Sequence, residues 1–327
     1  MILRAFRFLM ALCGAVSLAA TAAELKVGMI GLDTSHVVEF TRRLNDPTDK
    51  EFIPGAHVVV AFKGGSRDIP ASWNRVDGFT KTLRDKYGVR IVDSIDSLIK
   101  EADVVMIENV DGRPHLEEAI PVIKAHKPLF VDKPLAGSLR DALEIYRLAR
   151  ENGVPIFSAS SLRFYQSLQE MKSADAGQIN GACACGPCEV EPHHPDLFWY
   201  GIHSTEALYT ILGPGCKSVV CTATTNTHVV TGLWKDGKVG TVRGLRNSPY
   251  QYRMTVFGSK KVLDEQLDGS YTPFLREVVK FFQTGVAPVP AAETLEIYAF
   301  MEAADESKRQ GGCPVKISDV MRKNGGE

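Results

Sequence analysis

Leu25-Lys26-Val27-Gly28-Met29-Ile30-Gly31 is a mostly apolar run that stops at a glycine, and its reading decides the fold. A run this short, bounded by a turn residue, reads as a buried strand. Working outward, Ser35 to Leu44 reads as a helix. His57 to Phe62 is a second apolar strand, followed by the polar loop Lys63-Gly64-Gly65-Ser66-Arg67. Phe79 to Tyr87 is a helix candidate, Ile91-Val92 a short strand and Ser94 to Ala102 a short amphipathic helix. Val104 to Ile107, Leu116 to Ala125, Pro128 to Val131, Ser138 to Asn152 and Pro155 to Ala159 continue the alternation, with Gly153 closing the last helix. Short apolar strands separated by helices mean βαβ units and a parallel sheet.

Past residue 160 the texture changes. Strand-like runs occur at Ser218–Thr224, His228–Trp234, Lys238–Leu245 and Tyr252–Phe257, with the hairpin-like turn Lys235-Asp236-Gly237 between two of them. That pattern reads as a large, mostly antiparallel sheet. Helices return at Pro273–Thr284 and Ala292–Gln310. At the other end, Arg4 and Arg7 precede the apolar stretch Phe8–Leu18 and the small-residue site Ala20-Thr21-Ala22. Residues 1–22 therefore read as a Sec-type secretory signal peptide, without a twin-arginine pair, for a secreted or periplasmic protein. Residues 23–158 and 159–327 read as two domains, the last helices packing back on the first. Among 327 residues, 38 Lys+Arg balance 39 Asp+Glu, 44% are hydrophobic and 24% charged. This composition excludes a disordered chain, a collagen repeat and a multi-span membrane protein, and leaves no basic excess for nucleic acid.

The most specific segments are Asp103-Val-Val-Met-Ile107, then Asn109-Val-Asp111-Gly-Arg113-Pro-His115, then Pro128-Leu-Phe-Val-Asp132-Lys133-Pro134. With Trp199-Tyr-Gly201-Ile-His203-Ser-Thr-Glu206, they resemble the glucose-fructose oxidoreductase, inositol dehydrogenase and MocA family over nearly the whole mature chain. The resemblance implies an α/β protein: an N-terminal Rossmann-type parallel sheet followed by an α+β domain. It also implies an NAD(P)-dependent oxidoreductase acting on a carbohydrate, a sugar or polyol, and a homo-oligomer built on the open face of the second sheet. Asp132-Lys133-Pro134 is similar to the family's Glu-Lys-Pro segment, which places Lys133 near nicotinamide and substrate. His203 falls at the family's histidine, with Trp199 where an aspartate is expected and Tyr200, Asp196 or Glu206 as substitute partners. Arg163 sits where such proteins place an arginine after the sixth strand.

A dinucleotide site needs Gly-x-Gly-x-x-Gly after the first strand. Here the run is Gly31-Leu32-Asp33-Thr34-Ser35-His36, so only the first glycine remains. An aspartate beside a pyrophosphate is unfavourable by about 1–4 kcal/mol, whereas Thr34 and Ser35 can donate to an anion at a helix N-terminus. No acidic ribose reader follows the second strand. Lys63, Ser66 and Arg67 stand there, which suits a 2′-phosphate, and so NADP rather than NAD, or a solvated loop.

Lys133 can polarise a hydroxyl or assist proton transfer, or pair with Asp132 at the strand end. His203 has an imidazole suited to reversible proton transfer, or is a core residue. Tyr200, with Phe198 and Trp199, can stack on a pyranose. Asn109 reads as a cofactor or substrate contact, while His115 reads as a cofactor contact or a helix cap. Cys183-Ala-Cys185-Gly-Pro-Cys188 and His193-His194 admit three readings: disulfides in an oxidising compartment, a redox tetrapeptide, or a metal site drawing on His193, His194 and His203. The disulfide reading is the plainest. Two rivals keep the fold: a metal-supported sugar lyase, hydratase or hydrolase, and a carbohydrate-binding protein with a vestigial nucleotide pocket.

Overall fold

The computed structural model describes residues 24–326, so the leader read at residues 1–22 lies outside the described residues. Six strands alternate with five helices in the first half: β1 (Leu25–Ile30), α1 (Ser35–Asn45), β2 (Ala56–Phe62), α2 (Pro70–Tyr87), β3 (Arg90–Val92), α3 (Ile95–Ile99), β4 (Val104–Ile107), α4 (His115–Lys124), β5 (Leu129–Val131), α5 (Leu139–Glu151) and β6 (Ile156–Phe157). All pair in parallel, in the order β3-β2-β1-β4-β5-β6. The four residues of β4 and three of β5 are all buried, as expected of strands covered on both faces.

One helix starts well before its expected position. α2 begins at Pro70, not Phe79, with proline in the first turn. There its fixed φ suits the helix and its missing N–H is not needed. The early start carries Ser72 and Arg75 toward the strand ends.

A short 3-10 turn at Ser161–Phe164 leads to α6 (Gln166–Ser173), β7 (Ile179–Pro187), α7 (Asp196–Trp199) and α8 (Gly201–Leu212). Next come β8 (Cys216–Ala223), β9 (Thr227–Trp234), β10 (Val239–Leu245), β11 (Arg253–Gly258), β12 (Val262–Gln266), α9 (Tyr271–Thr284), α10 (Ala291–Arg309), β13 (Val315–Lys316) and α11 (Ile317–Lys323). The second sheet has the order β12-β11-β7-β10-β9-β8-β13, antiparallel except where β10 meets β7. Its inner face, including Ala182, Ala184, Val230, Val242 and Met254, is buried under α8 and α10. The outer face leaves Leu233, Val239, Phe257 and Val262 exposed.

α9 returns to the first sheet. Phe274 packs against Phe40 and Phe130, and Phe281 lies 4.8 Å from Phe157 between ring centroids. From α10, the Tyr298 hydroxyl accepts from the Leu135 N–H just past β5. Both sheets are thus tied at the edge where the strands of the first one end. No described helix is long and apolar enough to cross a membrane.

The six described cysteines are free, which corrects the disulfide reading. Cys183 and Cys185 are alternate residues of one strand, about 7 Å apart, beyond disulfide reach. Cys188 is buried on the opposite side, against Gly201 and Gly244. Cys185-Gly-Pro-Cys188 runs along and off β7 rather than opening a helix, so it lacks the setting that makes such a thiol reactive.

Candidate active site

In an open doubly wound sheet, ligands bind at the carboxyl ends of the strands. That edge here differs between its two halves. Beyond β5 and facing the second sheet lies a cavity of about 440 Å³. Thr34 and Ser35 reach it from the N-terminus of α1, Lys133 from the end of β5 and His203 from α8. Tyr165, Trp199, Tyr200, Tyr250, Tyr252 and Tyr271 wall it. Phe198 does not join them; it is buried against Tyr298.

Lys133 is half-buried, and the Lys133–Pro134 peptide is cis. Asp132 pairs with the Nδ1 of His36 at 2.6 Å rather than with Lys133, which leaves the ammonium facing the cavity. His203 is 8% exposed, its Nδ1 2.7 Å from the Ser160 hydroxyl. Burial, reinforced by the Lys133 charge, pushes its pKa well below the ordinary imidazole value, so the ring is neutral near pH 7. Its partner is Ser160 and none of the expected substitutes. Glu206 is ion-paired to Arg163, Asp196 bonds His228 and Lys308, and the Tyr200 ring centroid lies 5.9 Å away.

Asp33 does not threaten a pyrophosphate as expected. Its side chain turns inward, accepting from the Val110 N–H at 3.0 Å and the Ser72 hydroxyl at 2.6 Å. Burial raises its pKa. Thr34 caps α1 by accepting from the His36 N–H. Arg75, whose Nε is enclosed without a partner, joins Thr34 and Ser35 on the cavity wall. Helix N-terminus, two hydroxyls and a guanidinium whose Nε has no partner among the described residues make an anion-favouring end.

Over β1 and β2 the crevice is stitched together. Gly31 has φ +85, and the Asn109 side chain lies against it. A Cβ on Gly64 would sit 2.9 Å from the Gly31 Cα and 2.6 Å from Asn109 Oδ1. Asn109 accepts from the Gly65 N–H at 3.2 Å and donates to Glu118. Asp111 accepts from Ser66 and Arg113, and Arg113 also makes a two-pronged contact with Asp68 at 2.9 Å. Burial opposes the Asp111 charge, yet bonds to His194, Arg113 and Ser66 hold its carboxyl far below the usual range.

Three expected contacts belong elsewhere. Lys63 pairs with Asp77 at 3.0 Å on the surface. His115 is wholly buried, its ring bonded to the carbonyls of Asn109 and Leu135, and burial lowers its pKa to about 4. Arg163 is buried between Glu206 and Glu293. The expected metal trio also separates. His194 bonds Glu191 and the Gly112 N–H, and His193 bonds Glu191, whereas His203 belongs to the cavity. Three residues with roles here carried no sequence motif: Arg75, Ser160 and Tyr252. The proline that opens α2 was the one available pointer to Arg75.

The structure fits a nicotinamide dinucleotide unevenly. Lys133, His203 and the anion-favouring end suit the nicotinamide and phosphate portion. Adenosine reaches its usual place over β1 and β2 only once the stitch opens.

The family model for oxidoreductases with an NAD-binding Rossmann fold matches residues 25–160. A myo-inositol 2-dehydrogenase of Thermotoga maritima is 22% identical over 295 residues, covering 74% of this chain and 88% of that one. Other curated relatives are spanned over only 45% or 35% of their length. Among solved structures, a probable dehydrogenase from Thermotoga maritima superposes with a TM-score of 0.73 at 19% identity, covering 90% of this chain and 100% of that one. GenD2 from gentamicin A biosynthesis, in complex with NAD, gives 0.70 at 17% identity over 90% and 96% of the two chains. At these identities the superpositions speak for the fold.

Proposed function

We propose that this chain, whose residues 25–160 match the family model for oxidoreductases with an NAD-binding Rossmann fold, is a Gfo/Idh/MocA-type enzyme that oxidises a carbinol carbon of a sugar or polyol with NAD or NADP. One observation carries the reading: Lys133, just past β5, and His203, on α8, face one aromatic-walled cavity.

The neutral His203 takes the hydroxyl proton of the substrate. The Lys133 ammonium donates to the same oxygen and stabilises its developing negative charge. Ser160, bonded to Nδ1, fixes the ring so that its other nitrogen is the one presented. The tyrosines and Trp199 cover the apolar faces of the ring and exclude water. A nicotinamide held beside Lys133 would supply hydride acceptance, which balances the loss of the carbinol hydrogen as the proton leaves through His203.

The test is nicotinamide absorbance on mixing the full-length protein, NAD or NADP and a panel of polyols. Turnover that disappears in Lys133→Ala and His203→Gln supports the reading; absence of both dinucleotide binding and turnover ends it. The stitched adenosine half favours one second reading, a carbohydrate-binding protein whose nucleotide pocket is vestigial. Calorimetry decides between them: tight sugar binding without any dinucleotide binding selects the second.

We further propose that a second copy covers the outer face of the second sheet, where Leu233, Val239 and Phe257 are exposed. Light scattering of the wild type and Val239→Asp measures this. The leader at residues 1–22 supports a location outside the cytoplasm, checked by mass spectrometry of the mature N-terminus.

A further inference from the structure

His36, Glu108 and Asp132 come from the start of α1 and the carboxyl ends of β4 and β5, residues far apart in sequence. Each offers a ligand atom, and these atoms lie within 4.8 Å of one another. All three residues are buried: His36 is 7% exposed, Asp132 2% and Glu108 0%. The His36–Asp132 pair satisfies one nitrogen and one oxygen.

Glu108 is what that pair does not explain. Both of its carboxylate oxygens are enclosed without a hydrogen-bond partner, and so is Oδ1 of Asp132. Three enclosed acceptors therefore converge beside an imidazole with no donor among the described residues. Protonating Glu108 removes a charge and lets its O–H turn to the neighbouring Asp132 Oδ1, but the remaining Glu108 oxygen still has no donor among the described residues. Lys133, the nearest cation in sequence, forms no ion pair with either carboxylate among the described residues. A single cation answers all three acceptors together.

We propose that His36, Glu108 and Asp132 hold a first-row divalent metal ion such as zinc or manganese. One imidazole and two carboxylates are the ligand types those ions take, whereas calcium asks for six or more oxygens. Tetrahedral ligands at about 2 Å from zinc stand roughly 3.3 Å apart, a spacing this group reaches by small side-chain adjustments. The metal ties the ends of β4 and β5 to the first turn of α1. It thereby sets Asp132 and the peptide leading to Lys133. Its role is positional, and the site is independent of whether a dinucleotide binds.

The experiment uses the untagged full-length chain, stripped with a chelator and titrated calorimetrically with zinc or manganese alone. Metal content is measured on protein that has not been stripped. One ion per chain is expected, with affinity falling more than about tenfold in Glu108→Gln, the least that outer-shell changes typically cost. His193→Ala, which alters an exposed histidine outside the cluster, should bind like the wild type. Circular dichroism confirms that each variant is folded, and His36→Gln replaces Glu108→Gln if the latter is not. Binding that is absent, equal in the ligand variants, or lost in the His193 variant overturns the proposal. Dinucleotide binding is read separately, so failure here leaves the oxidoreductase reading standing.

Discussion

The two halves of the crevice are built from the same βαβ unit and do opposite things with their polar groups. Around Lys133, groups are left unpaired among the described residues: the ammonium has no carboxylate, Arg75 Nε has no acceptor, and His203 holds one serine. Around Asp111, nearly everything is paired: Asp111 takes Ser66, Arg113 and His194, and Asn109 takes Gly65 and Glu118. Unpaired polar groups at a cavity are available to a ligand, whereas a satisfied network resists one, because every new contact must replace an existing bond. The difference teaches that a family fingerprint can be lost in one half of a site while the chemistry of the other half persists.

The sharpest way to break this contrast is at Lys133. Lys133→Met should lower turnover about 10²–10⁴-fold, the range for acid–base and charge-stabilising groups. It should also move the acid limb of kcat/KM upward. The depressed His203 pKa comes first from burial and next from the Lys133 charge, so removing that charge lets the imidazole protonate at higher pH. An unmoved limb would separate the two residues.

Next comes Glu118, in the stitched half, whose burial raises its pKa to about 8. A raised carboxyl contributes stability that is complete below the unfolded value of about 4.3 and is lost as pH rises toward 8. Glu118→Gln, compared with wild type by urea unfolding, should therefore gain stability progressively across that window. The gain should reach about 3–5 kcal/mol; a flat difference would mean the carboxyl is ionised in the fold.

A smaller effect is expected from the stitch itself. Asp111→Asn should cost about 1–3 kcal/mol in stability, the range for a disrupted buried hydrogen-bond group. Stopped-flow mixing should show faster dinucleotide association, since the barrier to adenosine entry is lowered. Unchanged association would place the barrier elsewhere. The smallest effect belongs to Lys63→Ala: an exposed lysine paired with Asp77 should alter NADP affinity by less than about 0.5 kcal/mol. A large loss would restore its reading as a 2′-phosphate contact.

Much of the frame was legible in the chain. The β1 run ending at Gly31, the alternation through β6 and the later strand runs were all readable, because burial imposes period and length on apolar residues. So were Lys133 at a strand end and His203 on a helix. The pairing of charges was not readable. Asp132 looked like the partner of its neighbour Lys133, but binds His36, 96 residues away. Arg163 looked like a cofactor contact and is held by Glu206 and Glu293. Asp33 looked like a repulsive group at the phosphate and is turned away toward Ser72.

The amino-acid order by itself determined the parallel sheet and the antiparallel sheet, and the resemblance of its motifs to a known family pointed to Lys133 and His203. Periodicity is a local property that hydrophobic burial enforces residue by residue. Only the tertiary structure decided which acid meets which base, that Glu108 is enclosed without a partner, and that one half of the crevice is tied shut. Hydrogen bonds and ion pairs act over a few ångströms, between residues whose separation along the chain says nothing about their separation in space.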